Sequence, residues 1–337
     1  MMPDRIRIGF IGAGELANSV HYPSLASFKD VEISAICDLD ENRLNKTADR
    51  YGVENRFKDY RLMLDRVGLD AVYVVMAPIP TGHYSHAEPM TKIVVECLRR
   101  GKHVFIEKPP GVTVEETKAM AKAAEENECK TMVGFNRRFI PVLREVKRIV
   151  EENGPITCCS AVFHKNMIGS LEPWGCVSFL VADVIHAVDT LRWLGGEVDK
   201  IVSHVSSFYA EYPNSFHALV KFRNGCVGHL CSNYSSGGRV HYFEMHSKAI
   251  YAFVNLPFEP ERQEALILRD GKPYGEIETV RNLDLVGGRR EQYVLYGFLQ
   301  ENRHFIDCVK GDRIPETNFG DAVKTMELVE LIKASTL

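Results

Sequence analysis

Over the first 130 residues, short and almost wholly apolar runs alternate with amphipathic stretches. The runs near 6–11, 31–37, 71–76, 103–106 and 131–134 carry few polar positions, as strands do when both sheet faces are covered. Between them apolar residues recur at helical spacing, and strand–helix alternation of this kind predicts a parallel sheet with helices on both faces. After residue 130 the texture changes. A helix is predicted at about 141–152, then long strand-like runs at about 156–165, 198–210, 215–223, 226–234, 240–247, 249–254 and 265–269. One helix, at about 181–194, interrupts them, and two more follow at about 291–310 and 320–334. Successive strands without crossover helices predict an open antiparallel sheet, with hairpin turns at Arg223-Asn224-Gly225 and Asp270-Gly271.

The first strand runs into Gly12-Ala13-Gly14-Glu15-Leu16-Ala17, a GxGxxA turn opening a helix. Gly12 suits the tight turn, Gly14 lets a pyrophosphate approach the backbone, and Ala17 permits close helix packing; Glu15 and Leu16 complete the loop at the helix N-terminus. The second strand ends in Asp38, at the interval expected of a carboxylate that bonds the adenosine ribose hydroxyls. Strand, turn, helix and acid in this order predict a Rossmann dinucleotide-binding domain over 1–130. Asp38 repels a 2′-phosphate, so NAD is expected over NADP, although Arg43 lies one helical turn on and is placed to meet a phosphate. The fold class is therefore α/β followed by α+β: the Rossmann domain, then a substrate-binding and oligomerisation domain over 131–337 on an open antiparallel sheet, with its last helix expected to pack back on the first.

Composition narrows the rest. A chain of 337 residues with 45% hydrophobic and 26% charged positions is a two-domain globular protein. A net charge of −4 without Lys/Arg blocks excludes a nucleic-acid surface. No apolar run is long enough to cross a bilayer, and the chain enters a strand within a few residues, too early for a signal peptide, so a cytoplasmic location without membrane contact is expected. The nine cysteines are scattered with no CxxC and read as reduced core residues, with Cys158 and Cys159 on opposite strand faces. No metal is expected, because His204, His217, His229, His241 and His246 fall on separate strands.

Three segments sit at the strand ends where open α/β sheets bind ligands. Ala77, Pro78, Pro80 and His83 belong to a proline-rich loop after the third strand, expected against the cofactor. The fourth strand closes in Glu107-Lys108-Pro109, where proline keeps Lys108 out of the helical conformation. After the fifth come Asn136, a candidate for the nicotinamide-side ribose or carboxamide, and Arg137, for a substrate oxygen or equally an ion pair at the domain junction. In the second domain, Trp174 lies in a loop either to stack on a sugar ring or to anchor the loop, and Tyr234 and His164 are weaker strand-end candidates. His186 on its apolar helix reads, alone, as a core histidine.

Together these residues resemble the Gfo/Idh/MocA oxidoreductases. The resemblance runs through Gly9 to Gly14, Asp38, Gly101 to Pro109, Gly134 to Phe139, His186-Ala187-Val188-Asp189, Leu191 to Gly195 and Phe305-Ile306-Asp307. It implies reversible hydride transfer between NAD(P) and a hydroxyl-bearing carbon of a sugar, inositol or related polyol, with the EKP lysine and a second-domain histidine at the reacting carbon. These positions are Lys108 and His186, with His186 favoured as acid/base and Lys108 polarising the same oxygen. Glu107 and Lys108 would also touch the cofactor, and Asp189 would contact a substrate hydroxyl or orient the histidine. The chain departs from the family in two places. Asp183 stands three residues before His186, where the family has an aspartate four before, and is expected to orient the imidazole from the same helix face. The stretch His86 to Lys92 is longer than usual and is expected to reshape the pocket rim. The resemblance further implies a homodimer or homotetramer through the second-domain sheet. Two other functions stay open: a non-catalytic dinucleotide-responsive regulator, and a glycosidase working by transient oxidation with tightly held NAD.

Overall fold

The structure, a computed structural model, describes residues 5–80, 82, 85, 87–269, 277–311 and 313–337. The chain divides into two compact units: Met1–Phe135 with Phe298–Lys324, and Asn136–Gly297 with Thr325–Leu337.

The first unit is built on a six-stranded sheet of β1 (Ile6–Ile11), β2 (Val31–Cys37), β3 (Asn55–Phe57), β4 (Ala71–Val74), β5 (His103–Ile106) and β6 (Thr131–Val133). Its order is β3-β2-β1-β4-β5-β6, and every pair is parallel. The chain steps outward from β1 to β3, then returns to β4 on the other side of β1. Between β1 and β4 lies the switch point at which such sheets open a ligand crevice. Among the described residues, five α-helices connect these strands: α1 (Tyr22–Ala26, after a π-helical stretch Ala17–His21), α2 (Glu41–Tyr51), α3 (Tyr60–Arg66), α4 (Met90–Arg99) and α5 (Val114–Glu126). Asp40 caps α2 by accepting the Asn42 and Arg43 N–H groups, and Thr113 with Glu116 forms a capping box on α5. In the core, Tyr73 stacks on Phe105 with centroids 4.6 Å apart, and Phe305 of the helix Phe298–Lys310 meets both rings edge-on. Thr317 then adds to the β6 edge, its carbonyl accepting the Val133 N–H at 2.8 Å and its hydroxyl donating to the Val133 carbonyl at 2.7 Å.

The second unit carries an eight-stranded sheet: β7 (Cys158–Asn166), β8 (Val198–Ser206), β9 (Ser215–Phe222), β10 (Val227–Asn233), β11 (Ser235–Ser247), β12 (Ile250–Asn255), β13 (Glu264–Arg269) and β14 (Glu278–Arg281), ordered β14-β13-β12-β11-β7-β10-β9-β8. The expected antiparallel sheet needs one correction. β7 and β10 pair in parallel, so the sheet is mixed. In-out alternation is the same for either pairing, and no local signal distinguishes them. The predicted turn at Asp270-Gly271 lies outside the described residues. Helices α6 (Pro141–Glu151) and α7 (Ile185–Gly195) cover one face of this sheet. β9 records the asymmetry, with Phe216, Ala218, Val220 and Phe222 buried and His217, Leu219 and Lys221 exposed.

The single helix expected at about 291–310 is instead two, Gln292–Leu295 and Phe298–Lys310. They part at Gly297, where φ is +80° and a Cβ would lie 2.5 Å from the Asn136 carbonyl oxygen. The helix expected from 181 begins as a π-helical turn, Leu180–Val184, before α7.

Candidate active site

At the β1/β4 switch point the first unit holds a cleft of about 510 Å³, within the usual range for small-ligand sites. Its floor is the glycine turn. Gly12 has φ +113°, donates its N–H to the Cys37 carbonyl at 2.8 Å, and would place a Cβ 2.1 Å from the Val75 carbonyl oxygen. At Gly14 nothing lies within 4 Å of a built Cβ, so the backbone is open to a bound group. The two glycines thus do different work, one allowing the chain to pass, the other leaving room. Asp38 faces the same cleft with its side chain only 8% exposed. Its carboxylate accepts the Ala13 N–H at 2.7 Å on Oδ2 and the Asp40 N–H at 2.8 Å on Oδ1. Oδ1 also meets Arg43 Nη2 at 3.5 Å, whereas Oδ2 retains acceptor capacity for a hydroxyl, and the group is held in place by these contacts.

Ala77 and Pro80 line this cleft as expected, joined by Met76 and Ile79. Pro78 does not. It is buried, and its carbonyl accepts the Met90 N–H at the start of α4. His83 lies outside the described residues. Glu15 and Leu16 are exposed at the turn without lining the cleft. Tyr60, Arg61 and Glu88 escaped the sequence reading of the cleft. The Tyr60 hydroxyl donates to Glu88 at 2.7 Å, Arg61 grips both oxygens of that carboxylate, and all three line one wall. Glu88 falls in the longer stretch 86–92, which was the available signal.

β5 delivers Glu107 and Lys108, and the Lys108-Pro109 bond is cis. Lys108 is half-buried, whereas Glu107 is buried, 5% exposed, and inward-facing. Its Oε1 meets His21 Nε2 at 2.8 Å while His21 Nδ1 meets Asn302 Oδ1 at 3.2 Å. A Cβ on Gly134 would stand 2.7 Å from Glu107 Oε1. Glu107 Oε2 accepts the Lys108 N–H at 3.2 Å, so Glu107 anchors the lysine's backbone. With Glu301, His21 and Glu107 are the one group among the described residues with metal-ligand proximity. Both imidazole nitrogens are already engaged.

In the second unit α7 places His186, 6% exposed, near the Phe163 ring of β7. Asp183 in the π-helical turn accepts the Tyr234 hydroxyl at 2.5 Å and pairs with Lys165 of β7. Tyr234 is fully buried, and burial together with Asp183 pushes its pKa well up, so it stays a hydrogen-bond donor. It supports Asp183.

Asp189 is fully buried, takes a two-bond grip from Arg138 at 2.7 and 2.5 Å, and accepts the Thr325 hydroxyl at 2.9 Å. Buried and gripped this way, the carboxylate is occupied with Arg138 and Thr325, an arrangement that argues for a structural role. Asn136, buried, donates its amide to the Tyr296 carbonyl at 2.8 Å, while its Oδ1 has no partner among the described residues. One of its N–H groups thus has a structural partner. Arg137 lies 5.1 Å from the Tyr296 ring centroid. Trp174, half-buried, takes a left-handed backbone with φ +51° in its loop.

Two family models match the chain: the NAD-binding Rossmann fold of the Gfo/Idh/MocA oxidoreductases over residues 6–135, and their C-terminal alpha/beta domain over 174–336. Myo-inositol 2-dehydrogenase of Thermotoga maritima is 31% identical, with 98% of this chain and 96% of that protein aligned. The chain belongs to the Gfo/Idh/MocA oxidoreductase family. YrbE of Bacillus subtilis, an uncharacterised oxidoreductase, is 33% identical over 155 residues, which span 46% of this chain and 42% of that protein. Among solved structures, levoglucosan dehydrogenase in complex with NADH superposes with a TM-score of 0.83 at 20% identity, covering 99% of this chain and 97% of that one, a likeness of fold. The first unit of this Gfo/Idh/MocA protein is thus an NAD-binding domain, and Gly12, Gly14, Asp38, Ala77 and Pro80 line its cleft.

Proposed function

We propose that this family member is an NAD-dependent dehydrogenase that moves a hydride between the nicotinamide and a hydroxyl-bearing carbon of a sugar, inositol or related polyol. The observation that carries the reading is the cleft at the β1/β4 switch point, open at Gly14 and ending in a fixed Asp38. The names of the inositol and levoglucosan dehydrogenases support the substrate class. NAD, when bound, supplies the hydride acceptor.

The remaining chemistry falls to side chains. Oxidation of a carbinol requires a base for its hydroxyl proton, and His186 is assigned that role because an imidazole exchanges a proton near neutral pH. Lys108, held by the buried Glu107 next to it, donates a hydrogen bond to the same oxygen. Asp183 orients the imidazole, itself fixed by Lys165 and Tyr234. Arg137 and Trp174 are assigned to substrate binding. The cross-strand pair Val202 and Leu219, 43% and 47% exposed on the uncovered sheet face, supports association of copies through that face as dimer or tetramer.

Turnover is tested by following absorbance at 340 nm with NAD and a panel of polyols, for the native protein, Lys108→Met and His186→Ala. Each variant is expected to lose about 10²–10⁴ in kcat while NAD affinity changes little. Full activity in both variants overturns the assignment. NAD that co-purifies without net turnover would redirect the reading to transient oxidation.

A further inference from the structure

The second unit gathers three cations, of which Arg239 has no part in the reaction as assigned. Arg239 lies on β11 in the segment where the register against β7 slips between Ser235 and Val240, an irregularity of the kind that re-aims side chains. Its guanidinium is stacked 4.0 Å from the Phe258 ring centroid and 5.7 Å from that of Tyr296, against which Arg137 also packs. Nη1 donates to the Leu256 carbonyl at 2.7 Å and the guanidinium lies within hydrogen-bonding reach of the Tyr296 hydroxyl, but Nη2 is buried and makes no hydrogen bond of normal geometry among the described residues. Lys165 lies 5.9 Å from the Tyr234 ring. Two carboxylates face this group: Asp183, shared by Lys165 and Tyr234, and Glu259, exposed near Arg239 and Tyr296.

A second observation is independent of the arginine. His241, two residues along β11, is 2% exposed and stacks on Phe163 with centroids 3.4 Å apart. Neither ring nitrogen has a partner among the described residues. Burial, then Arg239, Arg137 and Lys165, hold the ring neutral. A neutral imidazole presents one donor and one acceptor, and leaving both unmet in a protein interior is costly. A ligand that supplies oxyanions and hydroxyls satisfies both groups.

We propose that the substrate of this dehydrogenase is an anionic polyol, a sugar acid or a sugar phosphate, whose oxyanion is bound by Arg239 with Arg137 and Lys165 while His241 bonds the same group or a neighbouring hydroxyl. The proposal rests on the dehydrogenase reading and deepens it. A guanidinium suits a planar carboxylate and a phosphate alike, so the two sources are separated by experiment.

The NAD-loaded protein is screened for thermal stabilisation and for NADH formation with matched sets: a neutral polyol, the corresponding aldonate or uronate, and the corresponding sugar phosphate. One anionic class is expected to stabilise the protein and to exceed its neutral parent by roughly 10–100-fold in kcat/KM, the value of one hydrogen bond to a charged group. Arg239→Gln is expected to erase that ratio, and Arg239→Lys to restore part of it; the melting temperature without substrate reports whether either variant is folded. Equal handling of neutral and anionic members, or a ratio unchanged in Arg239→Gln, overturns the proposal. An acid that stabilises the protein without turnover leaves the anion site standing and removes the dehydrogenase reading. A neutral polyol turned over as well as its acid does the reverse.

Discussion

Removing Asp189 separates two roles that the family pattern and the geometry assign differently. In Asp189→Ala, Arg138 keeps its charge in a site where its side chain is 4% exposed, and loses both of its short bonds to the carboxylate. The Thr325 hydroxyl loses its acceptor as well. Leaving one member of a buried ion pair uncompensated costs about 3–5 kcal/mol. For a unit of this size each kcal/mol shifts the melting temperature by about 2–4 °C, so a fall of roughly 6–20 °C is expected. Differential scanning calorimetry measures it, and steady-state kinetics well below the lowered transition should give a KM for substrate within about twofold of native. The double variant Arg138→Leu/Asp189→Leu should recover much of the loss, because no charge is then stranded. A melting temperature within a degree or two of native, together with a KM raised tenfold or more, would refute the structural role and return Asp189 to the substrate.

Two further perturbations test the cleft and the packing of the second unit. Gly12→Ala should fail to fold stably, since the new Cβ meets the Val75 carbonyl oxygen at a positive φ, whereas Gly14→Val should fold and lose most NAD affinity; fluorescence titration with NADH on the soluble variant checks this, and unaltered binding would contradict the placement of the dinucleotide. Stability should also fall in mild acid. Burial holds the His241 pKa well below its ordinary value, so the unfolded chain takes up a proton that the folded one refuses; the contribution is whole above about pH 6.5 and is lost as pH falls below it, by about 1.4 kcal/mol per pH unit. Melting temperatures at pH 7.5, 6.0 and 5.0 should show this decline and a shallower one in His241→Leu, and equal slopes would remove His241 as the cause.

The parts of the fold legible in the sequence are those whose physics is local. The Rossmann half announces itself because a parallel sheet covered on both faces requires apolar strands, and because the turn before the helix requires glycine at Gly12 while Gly14 leaves the backbone open to a ligand. β3 was missed because Asn55–Phe57 is three residues long and polar, with no periodicity to read. The parallel β7–β10 pairing joins segments 69 positions apart, and alternation along either strand carries no direction. At the cleft, Asp38 and the loop residues Ala77 and Pro80 line the wall as expected because strand ends on one edge of a parallel sheet are brought together by the fold. Asp189 misled because position relative to His186 says nothing of the partner that claims it, and Arg138 is 51 residues away. Tyr60 and Arg61 show the same limit: each became part of the cleft wall through Glu88, which the sequence marked only as part of a longer rim. His241 was set aside with the scattered histidines, since burial with both nitrogens unmet is a property of the packed sheet alone.

Hydride transfer itself is tested most directly by isotope. A polyol or polyol acid that is turned over is prepared with deuterium on the carbinol carbon and incubated with NAD and the native protein, and the dinucleotide is analysed by mass spectrometry. One deuterium transferred to the reduced nicotinamide, lost together with NADH formation in His186→Ala and Lys108→Met, is the expected result. Reduced dinucleotide without the label, or NAD bound and left oxidised by every polyol and polyol acid offered, would contradict dehydrogenase chemistry in this protein.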